Sequence, residues 1–221
     1  MNVPSGLLPG GYLWLANVVY ALVLGYALYR APWGRLASGS LQNVFVGAAV
    51  FVALLWHLDV GISPGVSLHY LGATSVALMF GWQLGVVAVS LAMVAHTFFS
   101  PAGWEAFAIN ALAVGVIPVL VSYGLHVLVR DRLPHNFFVY LFLGAFLGGA
   151  LSMVASTFVT YGVMAGSGLY ASGQLTTGLL GYLPLMMFPE AFINGLLITT
   201  LVMVRPEWVF TFDDETYIHG K

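Results

Sequence analysis

Seven apolar stretches divide this sequence, and short segments containing glycine, proline or charged residues separate them. The stretches cover residues 12–29, 41–58, 67–81, 83–99, 105–129, 137–164 and 180–204. A helix needs about 20 apolar residues to cross the hydrocarbon core of a bilayer, with a range of about 17 to 25. The pattern therefore predicts an all-α polytopic membrane bundle of seven helices, in a single transmembrane domain over residues 1–221.

The third stretch, 67–81, is short for a membrane span. It follows a loop that contains Asp59, Ser63 and Pro64, and only Gly81-Trp82-Gln83 separates it from the fourth stretch. We expect the third span to tilt in from the loop or to break near Gly72, and the Gly81 segment to form a tight hairpin.

Charged residues make up only 6% of the chain, whereas a soluble domain carries roughly 25%. Lipid must therefore be the solvent for most of the surface, and there are too few basic residues for nucleic acid binding. The chain has no cysteine, which excludes disulfides and thiolate metal sites. It also lacks the P-loop motif, so it cannot bind ATP by a P-loop.

The six basic residues predict the orientation of the bundle. They are Arg30, Arg35, Arg130, Arg132, Arg205 and Lys221. With seven spans, all six fall on one face, which the positive-inside rule makes cytoplasmic. We therefore expect the N-terminus outside and the C-terminus in the cytoplasm.

His69 is the first candidate for a functional site, at the outer end of the third span. A neutral imidazole binds zinc, copper, cobalt or nickel well. The alternative is a histidine that bonds a neighbouring carbonyl group or lies among lipid headgroups. His57, Asp59 and His96 are predicted at the same end of the bundle, and they are secondary candidates for metal ligands.

Glu190 is the other unusual residue, because a carboxyl group inside a span is costly and usually has a partner. It could act as a proton relay, a gate or a partner of a site histidine, or it could be a buried, hydrogen-bonded and neutral acid. Pro184 and Pro189 predict an irregular helix around it. Asn110 and Asn194 are expected to be interior hydrogen-bonding residues rather than ligands.

Small residues recur every four positions in the sixth span, at Gly144, Gly148, Ser152 and Ser156. Such a stripe lets helix backbones approach closely in lipid. It predicts either a packing seam within the bundle or a docking surface for a partner subunit.

Three segments together resemble a known family. They are His69-Tyr70-Leu71-Gly72, the run from Asn110 through Gly115 and Pro118 to Tyr123, and the N-terminal Met1-Asn2-Val3-Pro4. With Phe188-Pro189-Glu190 in the last span, they are similar to the membrane subunit of energy-coupling-factor cobalt and nickel transporters, of the CbiM/NikM type. The ending from Arg205 to Asp214 is similar to a proteobacterial branch of these permeases. The resemblance implies a seven-helix fold like that of the family's specificity components.

The resemblance also implies a metal site. In the family, the ion is held by the Met1 amine, by the amide and imidazole of a histidine at position 2, and by the histidine that matches His69. This chain has Asn2 instead, so one imidazole is missing. His57, Asp59 or His96 could compensate, copper could be preferred, or the metal could be lost.

The expected function is therefore uptake of a divalent transition metal ion, cobalt or nickel with copper as the alternative. The ion would enter from the outer face of a bacterial inner membrane. The chain would be a permease rather than an enzyme, and its partners would be ATPase and coupling membrane subunits. The alternative is an accessory or assembly subunit of a larger membrane complex, such as a metalloenzyme. A haem-binding redox subunit is a third interpretation.

Overall fold

The computed structural model describes residues 3, 6, 8–37, 39–58, 60–63, 66–99, 103–168 and 172–219. Six helices in these ranges are long and apolar enough to cross a membrane. They are α1 (Gly10–Arg30), α2 (Gly39–His57), α3 (Ala73–Phe99), α4 (Phe107–Arg132), α5 (Phe137–Gly166) and α6 (Thr176–Val204). The last three contain π-helical stretches at Ala111–Val116, Tyr140–Phe146 and Thr176–Leu180. Short helical turns lie at Trp33–Ala37, Ser172–Leu175, Pro206–Trp208 and Glu215–His219.

Two short strands connect α2 to α3, where the sequence predicts a loop and then the start of the third span at residue 67. They are β1 (Val60–Ser63) and β2 (Val66–Leu68), and they form an antiparallel hairpin. The chain then runs without regular structure through residues 69–72. The expected break near Gly72 is confirmed, since this glycine has a φ of 64° and the helix begins at the next residue.

Helix α3 is itself a helical hairpin that reverses at Gly81, as the sequence predicts. Gly81 has φ 79° and ψ 172°, a conformation that glycine adopts readily. A Cβ atom on Gly85 would lie 3.4 Å from the Cα of Ala77. Residues eight apart in a continuous helix would be separated by about 12 Å, so the two arms must be antiparallel. We call the first arm, residues 73–80, the half-helix.

The predicted seven crossings are therefore made by six long helices, because α3 supplies two of them. The half-helix is about 12 Å long and cannot cross a bilayer alone. Residues 69–72 fall within the third predicted span and have no regular structure. Non-helical backbone at such depth is tolerated only inside protein, and residues 71–80 are all buried.

The arginines lie at one end of the bundle, as predicted. The guanidinium group of Arg35 stacks over Phe210 at 5.1 Å, so the connection from α1 to α2 meets the C-terminal segment. His135, which follows Arg132, contacts Tyr217 in the same segment. Phe210 N in turn donates to Met79 O beside the Gly81 reversal. The positive-inside rule makes this end cytoplasmic. Lys221 lies outside the described residues.

The small-residue stripe faces the interior. Ser152 and Ser156 are fully buried, and a Cβ on Gly148 would lie 3.2 Å from the methyl group of Thr74 in the half-helix. The Thr74 hydroxyl lies 2.6 Å from that of Ser122 on α4 and donates to that of Ser152 at 3.2 Å. The stripe is therefore a packing seam around the half-helix, and it is not available to a partner subunit.

Gly149→Ala is expected to destabilise the protein by about 1–3 kcal/mol, as overpacking does in other proteins. The new methyl group would lie 3.0 Å from the backbone at Glu190 and Ala191, which cannot yield as a side chain can. The matched control is Gly162→Ala on the same helix, which meets nothing within 4 Å and should be neutral or slightly stabilising. Thermal unfolding in detergent measures both. Equal melting temperatures for the two variants would contradict the close approach of α5 and α6.

Candidate metal site

His69 lies at the start of the irregular segment 69–72 and is only 2% exposed. Its Nδ1 lies 3.1 Å from the carbonyl oxygen of Tyr70, which can only accept, so Nδ1 carries the proton. Nε2 is buried and has no hydrogen-bond partner among the residues that the structure describes. A proton on Nε2 would be a buried donor without an acceptor, so the ring is in its neutral form. Nε2 therefore holds a free lone pair, the form that binds a metal ion.

Glu190, halfway along α6, holds the chain just after His69. Its Oε2 accepts from Leu71 N at 2.8 Å and its Oε1 accepts from Gly72 N at 2.9 Å. Asn194 Nδ2 also donates to Oε1, at 2.7 Å. Three donors thus converge on one carboxyl group that is fully buried, and this arrangement fits the ionised, acceptor-only form.

Asn194 extends this arrangement by one turn. Its Oδ1 accepts from Ser75 N at 2.9 Å and from Ser75 Oγ at 2.7 Å. The first amide groups of a helix have no partner within that helix, and buried amide groups need one. Glu190 and Asn194 on α6 therefore cap the start of the half-helix through these hydrogen bonds, and we call the pair the Glu190–Asn194 clip. Glu190 is thus buried and hydrogen-bonded, and it fixes the backbone just after His69. Its roles as a proton relay, a gate or a partner of a site histidine stay predictions.

Trp56 fixes the same segment from α2. Its Nε1 donates to Leu71 O at 3.0 Å, and its side chain is fully buried. Its ring centroid lies 5.9 Å from that of His69 and 6.2 Å from that of His96. Trp56 was not predicted as a site residue. Its position directly before His57 is the only signal in the sequence.

The N-terminal segment enters the bundle, as the resemblance implies. Asn110 on α4 accepts from Val3 N at 2.7 Å and donates to Val3 O at 3.0 Å, and both residues are buried. Farther out, Glu105 accepts from Gly6 N at 3.1 Å. The predicted ligands Met1 and Asn2 lie outside the described residues. Asn110 thus anchors the backbone directly beside them.

The secondary candidates lie at the outer end with His69. The ring centroids of His57 and His96 are 4.8 Å apart, and those of His96 and His69 are 6.3 Å apart. Within the described ranges, no group of three or more histidine, aspartate or glutamate residues has the geometry to hold a metal ion. The third predicted candidate, Asp59, lies outside those ranges. The outer end therefore brings imidazoles together without a complete ligand set of its own.

Comparisons with known proteins agree with this architecture. The family described as cobalt uptake substrate-specific transmembrane region, CbiM, matches residues 2–208. A protein named for metal transport in Haloquadratum walsbyi is 27% identical over 220 residues, which are 96% of this chain and 94% of that protein. A protein named for fused nickel transport in Archaeoglobus fulgidus is 28% identical over 124 residues, which are 56% of this chain and 40% of that protein.

Two solved structures share the fold. The crystal structure of a transition metal transporter gives a TM-score of 0.80 at 19% identity and covers 92% of this chain and 93% of its own. A truncated transition metal transporter gives a TM-score of 0.74 at 19% identity, with 92% and 99% covered. At this level of identity, the likeness shows the shared arrangement of helices.

Proposed function

Because the chain belongs to the CbiM family of cobalt uptake membrane proteins, we propose that it binds a divalent transition metal ion at its outer face for uptake. The family and its relatives are metal transporters rather than enzymes. The observation that carries the proposal is the buried, neutral imidazole of His69, whose Nε2 has no hydrogen-bond partner in the described structure. Imidazole suits nickel and copper, and cobalt lies beside nickel in the affinity order of such sites.

The proposed ligand set consists of Met1, Asn2 and His69. The next residue, Val3, is held by two hydrogen bonds to Asn110 on α4, and this anchoring supports the proposed set. Cobalt and nickel are the substrates that the family favours. Copper is the alternative, because an amine, an amide and one imidazole also suit that ion.

The chain is a multi-pass membrane protein, and we assign it to a bacterial inner membrane. Its sequence has no P-loop, so active uptake would need ATPase and coupling membrane subunits. The alternative of an accessory subunit that docks through the stripe on α5 loses its support, because that stripe packs inside the bundle.

Elemental analysis of purified full-length protein tests the proposal. After incubation with cobalt or nickel and desalting, we expect about one ion per chain, the occupancy of a single complete site. A form extended by two residues before Met1 should lose the ion, because its amine no longer lies at the site. A wild-type protein that holds no cobalt, nickel or copper would overturn the proposal.

Asn110→Leu is expected to weaken metal binding by about 10–100-fold, the usual effect of losing a residue that orients a ligand. The substitution removes both hydrogen bonds to Val3 and leaves His69 in place. Asn17→Leu is the matched control, because Asn17 is exposed on α1 and donates only to Leu13 O in its own helix. Titration with nickel measures both affinities. Unchanged binding in Asn110→Leu would show that the N-terminus does not contribute to the site.

A further inference from the structure

Three imidazoles lie together at the outer end of the bundle, and the His96 ring neighbours both of the others. His57 is exposed, His96 is 7% exposed and His69 is 2% exposed. Neighbouring ring centroids are separated by 4.8 Å and then by 6.3 Å. Building on the proposed function, we propose that His57 and His96 form an outer station that captures the divalent metal ion and passes it to His69.

The state of His57 suits a capturing ligand. Its Nδ1 lies 2.7 Å from the carbonyl oxygen of Ala53, which can only accept, so Nδ1 carries the proton. The carbonyl group lies in the same helix and holds the ring at the end of α2. Nε2 is then the ligand atom of an exposed, oriented imidazole. A histidine in a metal site usually donates its other ring nitrogen to such a carbonyl group.

The station is expected to bind the metal ion weakly, because the ion must leave it again to reach His69. Two imidazoles leave most coordination positions of the ion to water, and no third metal-binding side chain completes the pair in the described part of the chain. A site on a permeation path must be favourable enough to fill and weak enough to empty. A more complete ligand set at His69 would draw the ion inward.

The spacing allows transfer without return of the ion to bulk water. The His96 ring neighbours both of the other imidazoles, so it can remain near the ion while His57 is exchanged for His69. Trp56 contacts the rings of both His96 and His69, and it is fixed by its hydrogen bond to Leu71 O. The distance between the station and the site is therefore set by a buried side chain.

The test compares the rate and the extent of nickel binding in purified full-length protein. His57→Phe keeps an aromatic ring beside His96 and removes the ligand nitrogen. We expect the association rate to fall about tenfold, within the range for losing one metal-orienting group, while the final stoichiometry is unchanged. His135→Phe, on the cytoplasmic end, is the matched control and should leave the rate unchanged. An association rate for His57→Phe equal to that of the wild type would overturn the proposal.

A second measurement separates the station from the site. The station should remain in His69→Ala and give weak residual nickel binding, which the additional His57→Phe substitution should remove. Residual binding that is identical in the single and double variants would also overturn the station. If the wild type itself takes up no metal, the proposed function fails, and this outcome is distinct from failure of the station alone.

Discussion

His69→Ala is expected to lower the affinity of the purified protein for cobalt or nickel by about 100-fold or more, the upper end of the effects of disturbing a metal site. The substitution removes the only imidazole of the proposed ligand set. Isothermal titration with each ion measures the loss. His69→Gln should lose as much, because its amide fills a similar volume without supplying an imidazole nitrogen.

His135→Ala is the control for this experiment. His135 is exposed near the cytoplasmic end, where its Nε2 bonds to Arg130 O. The His135→Ala variant should bind cobalt and nickel with the affinity of the wild type. The melting temperature without metal should change less in His69→Gln than in His69→Ala, because the glutamine refills part of the space of the buried imidazole. Full nickel affinity in His69→Ala would contradict the assignment of His69 as a ligand.

The arrangement of crossings could be predicted from the sequence, because lipid imposes simple rules on length and charge. Seven crossings, the reversal at Gly81 and the break at Gly72 all follow from apolar length and glycine chemistry. The short third stretch was the most informative, since a stretch too short to span must be completed by non-helical backbone. The β-hairpin before this stretch could not be predicted, because its strands are too short to show an alternation of apolar and polar residues.

The partners of Glu190 could not be predicted. The carboxyl group bonds to backbone amides at Leu71 and Gly72, which lie 119 and 118 residues away in the sequence. Every residue except proline has such an amide, so no side-chain pattern marks these two as the acceptor's partners. Asn194 could be expected in the interior, but not its bonds to Ser75.

The site could be predicted only in part. His69 was found because an imidazole at the mouth of a span is conspicuous, and its burial and free Nε2 support the assignment. Met1, Asn2 and Asp59 lie outside the described residues and stay predictions. The anchoring of Val3 by Asn110 was missed, because the bonds involve a backbone that has no side-chain signature.

The half-helix links the two ends of the protein. The Glu190–Asn194 clip holds its first amides, and the C-terminal segment holds its last carbonyls, since Thr211 Oγ1 donates to Leu78 O at 2.7 Å. His69 is therefore positioned by a short element whose ends are both fixed by other parts of the chain.

Glu190→Gln should therefore lower both stability and metal affinity, although it changes only one oxygen to an amide nitrogen. Three donors converge on the carboxylate, and the glutamine NH₂ would meet at least one of them as a second donor. Each buried donor left without a partner costs about 1–3 kcal/mol. We expect a lower melting temperature and about 10–100-fold weaker nickel binding, because the backbone that carries His69 is released.

Glu207→Gln is the matched control, with the same chemical change at an exposed position. Glu207 lies 3.6 Å from Arg205 at the cytoplasmic end, and such surface pairs contribute about 0–1 kcal/mol. Asn194→Leu should resemble Glu190→Gln, because it removes the acceptor for Ser75 and one donor to the carboxylate. If Glu190→Gln lowered the melting temperature but left nickel affinity unchanged, the clip would stabilise the fold without positioning His69. If both Glu190→Gln and Asn194→Leu lower the nickel affinity, the metal site depends on the capping of the half-helix.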